Sequence, residues 1–429
     1  MAPYIDDALL DDPDELLRKD SRGTLRALAT AGAQVREMVT LSAEAGVERL
    51  ARSERPRAVL VAALGGSALV ADVLDLLAEP GSPVPVQTRR NLPLPGWVGP
   101  LDLVVAVSLS GRAPGPLAVA AEAARRGASL LTVGADDSPL AEVCRRARGV
   151  HVGTGHGRTN SRTALWTLLT PVLLGGDALG LFSCPPAVMA RVADRLDEQA
   201  EMYRPSSETF VNEAKLLATQ LAETVPVVLG DGPLTGVAAL RAASMLARTA
   251  RIPAPVGELP DAASQIVACF DGPYTPLGGR RPGTYDDHRI RLGDIDTSSW
   301  EPHHFDEPEG ELMEIPRGPG SRGEEDIFAD PYLDGPSPPM LGLLMLRDQV
   351  PDPLTPESAR AEALADAVAL TAREAGVRVM EVRAGSGEPI VRLAGTVATV
   401  DFAATYLALG LGLDPSVSPH VADLRDRTA

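Results

Sequence analysis

Residues 103–128, LVVAVSLSGRAPGPLAVAAEAARRGA, decide the fold class. An unbroken apolar run over 103–107 meets a small polar loop (Ser108, Ser110, Gly111), and an Ala-rich helical pattern begins at once. Strand, tight turn and helix in that order make half of a βαβ unit with a buried parallel strand. In such a turn, hydroxyls and backbone N–H groups converge where the helix macrodipole is positive, so an anion can be neutralised with little lysine or arginine.

A second copy lies upstream, where AVLVAAL (58–64) breaks into Gly65-Gly66-Ser67 before ALVADVLDLLAE (68–79). Either loop alone reads equally well as an ordinary strand-to-helix turn. Two of them at the carboxyl ends of two strands point to one phosphate, held by Ser67, Ser108 and Ser110 in the crevice of an open parallel sheet.

Working outward, residues 58–64, 84–88, 103–107, 129–133 and 149–152 read as strands that alternate with Ala-rich helices. This is the grammar of a doubly wound parallel sheet. Residues 4–52 alternate capping signals with apolar positions (Asp12 before Pro13, then Leu16 and Leu17) and predict two or three helices outside the sheet. The glycine-rich loop GTGHGRTNSRT, from Gly153, leads into a long apolar helix with Arg162 at its start. Arg162 either faces the crevice or pairs with a carboxylate, and His156 reads as a solvated loop residue.

The second half repeats the pattern: a helix from Asn212, a strand at 225–229, the turn Gly230-Asp231-Gly232-Pro233-Leu234 and a helix over 236–250. Internal duplication is expected. Residues 272–339 are Pro/Gly-rich and charged with no apolar period, as in an insertion or mobile loop. A strand resumes at Met340, followed by a helix at 356–375, a strand at 378–383, a helix at 389–410 and a C-terminal helix. The expected organisation is therefore N-terminal helices (1–52), a first α/β domain with the cradle (53–182), a second domain in two parts (183–271 and 340–413) around the insertion (272–339), and a terminal helix (414–429).

At 429 residues the chain is long enough for two domains. A net charge of −18 argues against nucleic acid or an anionic membrane as partner, so any anionic ligand must be captured locally. Lys19 and Lys215 are the only lysines, a bias ascribed to a GC-rich genome rather than to function. Cys144, Cys184 and Cys269 lack disulfide or metal-ligand spacing and read as buried thiols of a reducing cytoplasm. No secretory leader is evident, and no run approaches bilayer-spanning length without a break. A cytoplasmic protein with no metal, no cofactor and no membrane contact is expected.

The motifs resemble the bifunctional phosphoglucose/phosphomannose isomerases, which are built from two sugar isomerase (SIS) domains. The resemblance rests on Gly65-Gly66-Ser67, Ser108-Leu109-Ser110-Gly111, Ser161-Arg162-Thr163-Ala164, Asn212-Glu213-Ala214-Lys215, Gly230-Asp231-Gly232-Pro233-Leu234, Tyr406-Leu407-Ala408 and Leu413-Asp414-Pro415. It implies two doubly wound α/β domains, a homodimer, a phosphorylated hexose as ligand, and aldose–ketose isomerisation of glucose or mannose 6-phosphate. By the same resemblance Gly66, Ser67, Ser108 and Ser110 hold the phosphate. Arg112-Ala113 stands where the family has Asn-Thr, which removes a hydroxyl and adds a guanidinium able to fork onto phosphate.

Arg162 matches the arginine that faces the enediolate. The family's base, however, is matched by Gln265, its ring-opening histidine by Asp352 and its C-terminal lysine by Arg425. An amide is too weak a base to move the C1–C2 proton, so these replacements imply weakened or lost isomerisation. Two alternatives stay open: a base relocated to Asp286, Asp287 and His288 of the insertion, with His303-His304 nearby in sequence, or a regulatory protein that senses the sugar phosphate.

Overall fold

Residues Val59, Val61 and Ala63 face one core of the protein, and Leu60 and Ala62 between them face another. Burial on both sides is why this run is apolar throughout rather than alternating. In the computed structural model, which describes residues 5–52, 55–155, 157–158, 160–276, 340–349 and 355–428, this strand is β1 (Val59–Ala63). With β2 (Val86–Arg89), β3 (Leu103–Ser108), β4 (Ser129–Gly134) and β5 (Val150–Gly153) it forms an all-parallel sheet in the order β2-β1-β3-β4-β5. Helices Pro114–Arg125 and Pro139–Arg146 cover one face through Val119, Ala120, Ala123 and Leu140. Leu69–Ala78 and Leu165–Ala178 cover the other.

The second sheet comprises β6 (Thr224–Gly230), β7 (Val256–Glu258), β8 (Met340–Arg347) and β9 (Arg378–Arg383), again all parallel, in the order β7-β6-β8-β9. This is the order β2-β1-β3-β4 repeated, the duplication expected from the sequence. Where the first domain inserts Pro139–Arg146 and β5 after β4, the second passes from β9 straight into the helix Pro389–Gly410. Val228, Leu344, Leu346 and Met380 turn towards the core shared with the first sheet. Val227, Leu229, Leu343 and Met345 pack outward on Ile266, Phe270, Val368 and Ala372.

Pro389–Gly410 is buried except at Pro389 and Arg392, and its 18-residue stretch of mean hydropathy 1.3 makes it long and apolar enough to cross a membrane. This corrects the expectation that no run of that kind exists. The apolarity has a local cause, because Leu393–Gly410 is buried on every side within the core.

Four α-helices and a 3₁₀ turn occupy residues 7–52, where two or three helices were expected. Asp12 caps Pro13–Lys19 by accepting from Asp14 and Glu15 N–H, at 3.1 and 3.0 Å. Ala31–Ala45 brings Val35 and Met38 into the shared core. The helix expected over 236–250 is α-helical at Pro233–Met245 and ends in a π turn, Leu246–Ala250, closed by Arg251 at φ 62.

The first residues of the expected insertion are packed. Thr275 is buried, and Leu341 N–H donates to Tyr274 O at 2.7 Å. Residues 277–339, with Asp286, Asp287, His288, His303 and His304, lie outside the described residues, as do His156 and Asp352.

Cys144 and Cys184 are buried thiols, but Cys269 is exposed, contrary to expectation. In the turn Cys269–Asp271 the inward position is taken by Phe270.

Candidate functional site

In the order β2-β1-β3 the winding changes direction between β1 and β3, so the ligand crevice of an open parallel sheet falls at their carboxyl ends. The loops there are Gly65–Ser67 and residues 108–113. Gly65 (φ +60) and Gly111 (φ +61) adopt the left-handed conformation that lets each strand turn at once into its helix. Ser67 and Ser108 are buried, and Ser110 is exposed. Ser67 Oγ donates to Leu64 O at 2.9 Å, Ser108 Oγ accepts from Ala113 N–H at 3.3 Å, and Ser110 Oγ accepts from Arg112 N–H at 3.3 Å. The three hydroxyls therefore stand on adjacent loops of one crevice.

Helix Pro114–Arg125 supplies less to this crevice than its position suggests. Pro114 and Pro116 lack N–H groups, so only Gly115 of the first three helical residues has a donor to offer.

Three arginines matter here, in ways the sequence does not reveal. Arg112 is exposed, and its Nη2 donates to Asp137 O at 3.0 Å, towards the loop after β4 and away from β1. Arg162 lies three residues before helix Leu165–Ala178. Its Nη1 donates to Arg248 O and Pro415 O at 2.7 Å each, and its Nη2 to Ser416 O at 2.9 Å. These three partners are main-chain carbonyls, and its Nε also donates to Asn160 Oδ1 at 3.3 Å; these bonds engage the guanidinium that was expected either to face the crevice or to pair with a carboxylate. Arg251 donates to Asp414 O at 2.7 Å and to Val417 O, so the two guanidinium groups hold four consecutive carbonyls of the segment that leads into helix Pro419–Thr428. Burial alone would raise the Asp414 carboxyl, but hydrogen bonds from Ser21 and Ser416 bring it below its ordinary value.

Arg248, which no motif singles out, reaches the first domain. Its Nη2 donates to Ser161 Oγ at 3.4 Å, and a Cβ on Gly66 would stand 2.6 Å from Arg248 Nη1 and 2.5 Å from Ser161 Oγ. The π turn that carries Arg248 is what brings it there, and a π turn leaves no signature in the residues LARTA. Behind this layer Arg241 forks onto Asp401, with Nε–Oδ1 and Nη2–Oδ2 both 2.7 Å, and also donates to Arg162 O.

The equivalent crevice of the second sheet, between β6 and β8, has different chemistry. Asp231 accepts from Asp348 N–H at 3.0 and 3.1 Å and from Thr235 Oγ1 at 2.8 Å, while Arg392 forks onto Asp348 at 2.8 and 3.0 Å. Burial raises the Asp231 carboxyl, opposed by its hydrogen bonds from Thr235 and the Asp348 backbone. A phosphate here would meet two carboxylates already engaged with one another's surroundings.

Gln265 is exposed on helix Ala263–Ala268, which packs on the outer face of the second sheet through Ala262 and Ile266. No described contact joins it to the loops of the first sheet. Arg425 lies in helix Pro419–Thr428, whose approach Arg162 and Arg251 fix. Among the described residues no group of three or more His, Cys, Asp or Glu could hold a metal ion.

Residues 210–428 match the family model of the bacterial phospho-glucose isomerase C-terminal SIS domain. The chain belongs to this family. Within the bacterial phosphoglucose isomerase family it is 27% identical over 196 residues to the bifunctional phosphoglucose/phosphomannose isomerase of Caldicellulosiruptor bescii, a match covering 46% of this chain and 57% of that protein. The fold recurs in solved structures. A hypothetical protein from Thermus thermophilus aligns with TM-score 0.61 at 14% identity, over 98% of this chain and 94% of its own. The C-terminal domain of glucosamine-fructose-6-phosphate aminotransferase from Francisella tularensis aligns with TM-score 0.53 at 12% identity, over 91% and 97%. Glucosamine-6-phosphate deaminase from Thermotoga maritima gives TM-score 0.51 at 11% identity, over 89% and 97%.

Proposed function

We propose that this phosphosugar isomerase family member binds a hexose 6-phosphate in the crevice between β1 and β3, and that its aldose–ketose isomerase activity is weakened or lost. The observation that carries the first part is the contrast between the two crevices. The same topology presents hydroxyls of Ser67, Ser108 and Ser110 in one, and a carboxylate–guanidinium network in the other. Only the first suits a dianion.

The second part rests on the family resemblance, which matches the base to Gln265, an amide that cannot serve as a carboxylate base. We further infer a two-fold dimer and a reducing, cytoplasmic setting, the latter supported by the free thiols of Cys144, Cys184 and Cys269.

Calorimetry with glucose, glucose 6-phosphate, mannose 6-phosphate and fructose 6-phosphate tests the binding. Ser67→Ala or Ser110→Ala should each weaken the phosphorylated ligands by about 1–3 kcal/mol. Equal affinity for glucose and its 6-phosphate would overturn the assignment. A coupled isomerase assay of the wild type beside Gln265→Glu tests catalysis. Wild-type turnover in the ordinary enzymatic range of about 1–10³ s⁻¹ would refute the loss of activity.

A further inference from the structure

We infer that Arg248, contributed by the second domain, is the cation of the phosphate cradle in the first. This deepens the proposed function and rests on it. Four observations converge. The chain has a net charge of −18, so a phosphate gains nothing from the general field of the protein. The helix that should present N–H donors begins Pro114-Gly115-Pro116 and lacks two of its first three. The two arginines that the sequence offers to the cradle are turned elsewhere, Arg112 to Asp137 O and Arg162 to Asn160 Oδ1 and the carbonyls of Arg248, Pro415 and Ser416. Arg248 alone of the three has its guanidinium against Gly66 and Ser161, beside Ser67.

A glycine at position 66 follows from the same geometry, since any side chain would occupy the place of the guanidinium. A phosphate held by Ser67, Ser108 and Arg248 would bridge the two domains. Its binding would pass to the C-terminal segment through the Arg248 carbonyl, which accepts from Arg162. Arg162 is then a positioning residue, and the ligand-contacting arginine is Arg248.

The test is calorimetry on the full chain with glucose 6-phosphate and with inorganic phosphate, each at low and high salt. The proteins are the wild type, Ser67→Ala, Arg248→Ala, Arg248→Gln and Arg248→Lys. Gln retains a donor for Ser161 without the charge, and Lys retains the charge without the fork.

Arg248→Ala and Arg248→Gln should weaken glucose 6-phosphate by about 10- to 100-fold and flatten its salt dependence, the effect of losing a charge-assisted hydrogen bond. Lys should recover part of the affinity and all of the salt dependence. Should Ser67→Ala weaken binding while Arg248→Gln leaves affinity and salt dependence unchanged, the role of Arg248 is overturned and the cradle stands. Should the wild type bind neither phosphate, both fall. If Arg248→Ala fails to fold, the Gln and Lys variants decide.

Discussion

Replacing Asp401 by Asn should cost about 3–5 kcal/mol of stability, the range for removing one partner of a buried ion pair. Arg241 and Asp401 are 2% and 5% exposed, and their fork at 2.7 Å joins helix Pro233–Met245 to Pro389–Gly410 in the shared core. Without the carboxylate, Arg241 is left as an uncompensated buried charge. Arg241→Met strands Asp401 in the same way and also removes a hydrogen bond to Arg162 O. If the two sites were independent, the double variant Arg241→Met/Asp401→Leu would lose about 6–10 kcal/mol, the sum of the singles. It should instead lose about 1–3 kcal/mol, chiefly the hydrogen bond from Arg241 to Arg162 O, because neither charge remains. The assay is urea unfolding followed by circular dichroism and tryptophan fluorescence, whose coincidence checks that a single transition is being measured. An additive double variant, or an Asp401→Asn loss under about 1 kcal/mol, would refute the coupled-pair reasoning.

Three further outcomes are expected. Burial lowers the His151 imidazole below its ordinary value, with the Asp136 charge opposing and Arg145 assisting. The native state therefore keeps it neutral while the unfolded chain binds a proton, so stability is full above about pH 6.5 and falls as the pH drops through the lowered native value. His151→Gln should reduce this loss in thermal melts taken across that range, and an unchanged pH profile would remove the histidine from the explanation. Arg162→Gln should speed hydrogen exchange in residues 414–428 while leaving the first sheet protected, because the side chain donates to Pro415 O and Ser416 O. Gly66→Ala should weaken glucose 6-phosphate binding more than it lowers the melting temperature, since its Cβ meets the ends of two side chains, Arg248 and Ser161, that can move aside.

The central strands β1 and β3 are legible in the sequence because two-sided burial makes each a continuous apolar run, as in Leu103–Ser108, where all six residues are buried, whereas the edge strand β2, VQTR, has no such run. Ser67, Ser108 and Ser110 are legible for a related reason: a hydroxyl directly after such a strand can only stand at the carboxyl end of the sheet. β7 has three residues, too few to show a period, and helix Ala263–Ala268 buries only Ile266, so neither leaves a pattern. The partners of Arg162 are illegible on other grounds. Its position before an apolar helix can be read, but the carbonyls it binds belong to residues 248, 415 and 416, and their approach depends on how the second domain packs. Arg248 is hidden by the same distance and by the π turn, which rotates its side chain off the face that an α-helical reading assigns.

Duplication left this protein with two crevices of one topology, and their residues divide the tasks between them. In the second, Asp231, Asp348 and Arg392 tie the ends of β6 and β8 to the start of helix Pro389–Gly410, so the place where a ligand would sit closes the domain instead. The same helix carries Asp401, whose fork onto Arg241 fixes helix Pro233–Met245, and that helix ends in the turn that holds Arg248. A chain of polar contacts and packed helices thus runs from the closed crevice to the open one. In an acidic protein whose cradle helix has lost two donors to proline, a cation delivered from the neighbouring domain has a further consequence. Separating the two domains would dismantle the phosphate site even with Ser67, Ser108 and Ser110 untouched. The first domain expressed alone, if it folds, should therefore bind inorganic phosphate more weakly than the full chain and with a shallower dependence on salt. Equal binding by the two would show that the serines suffice.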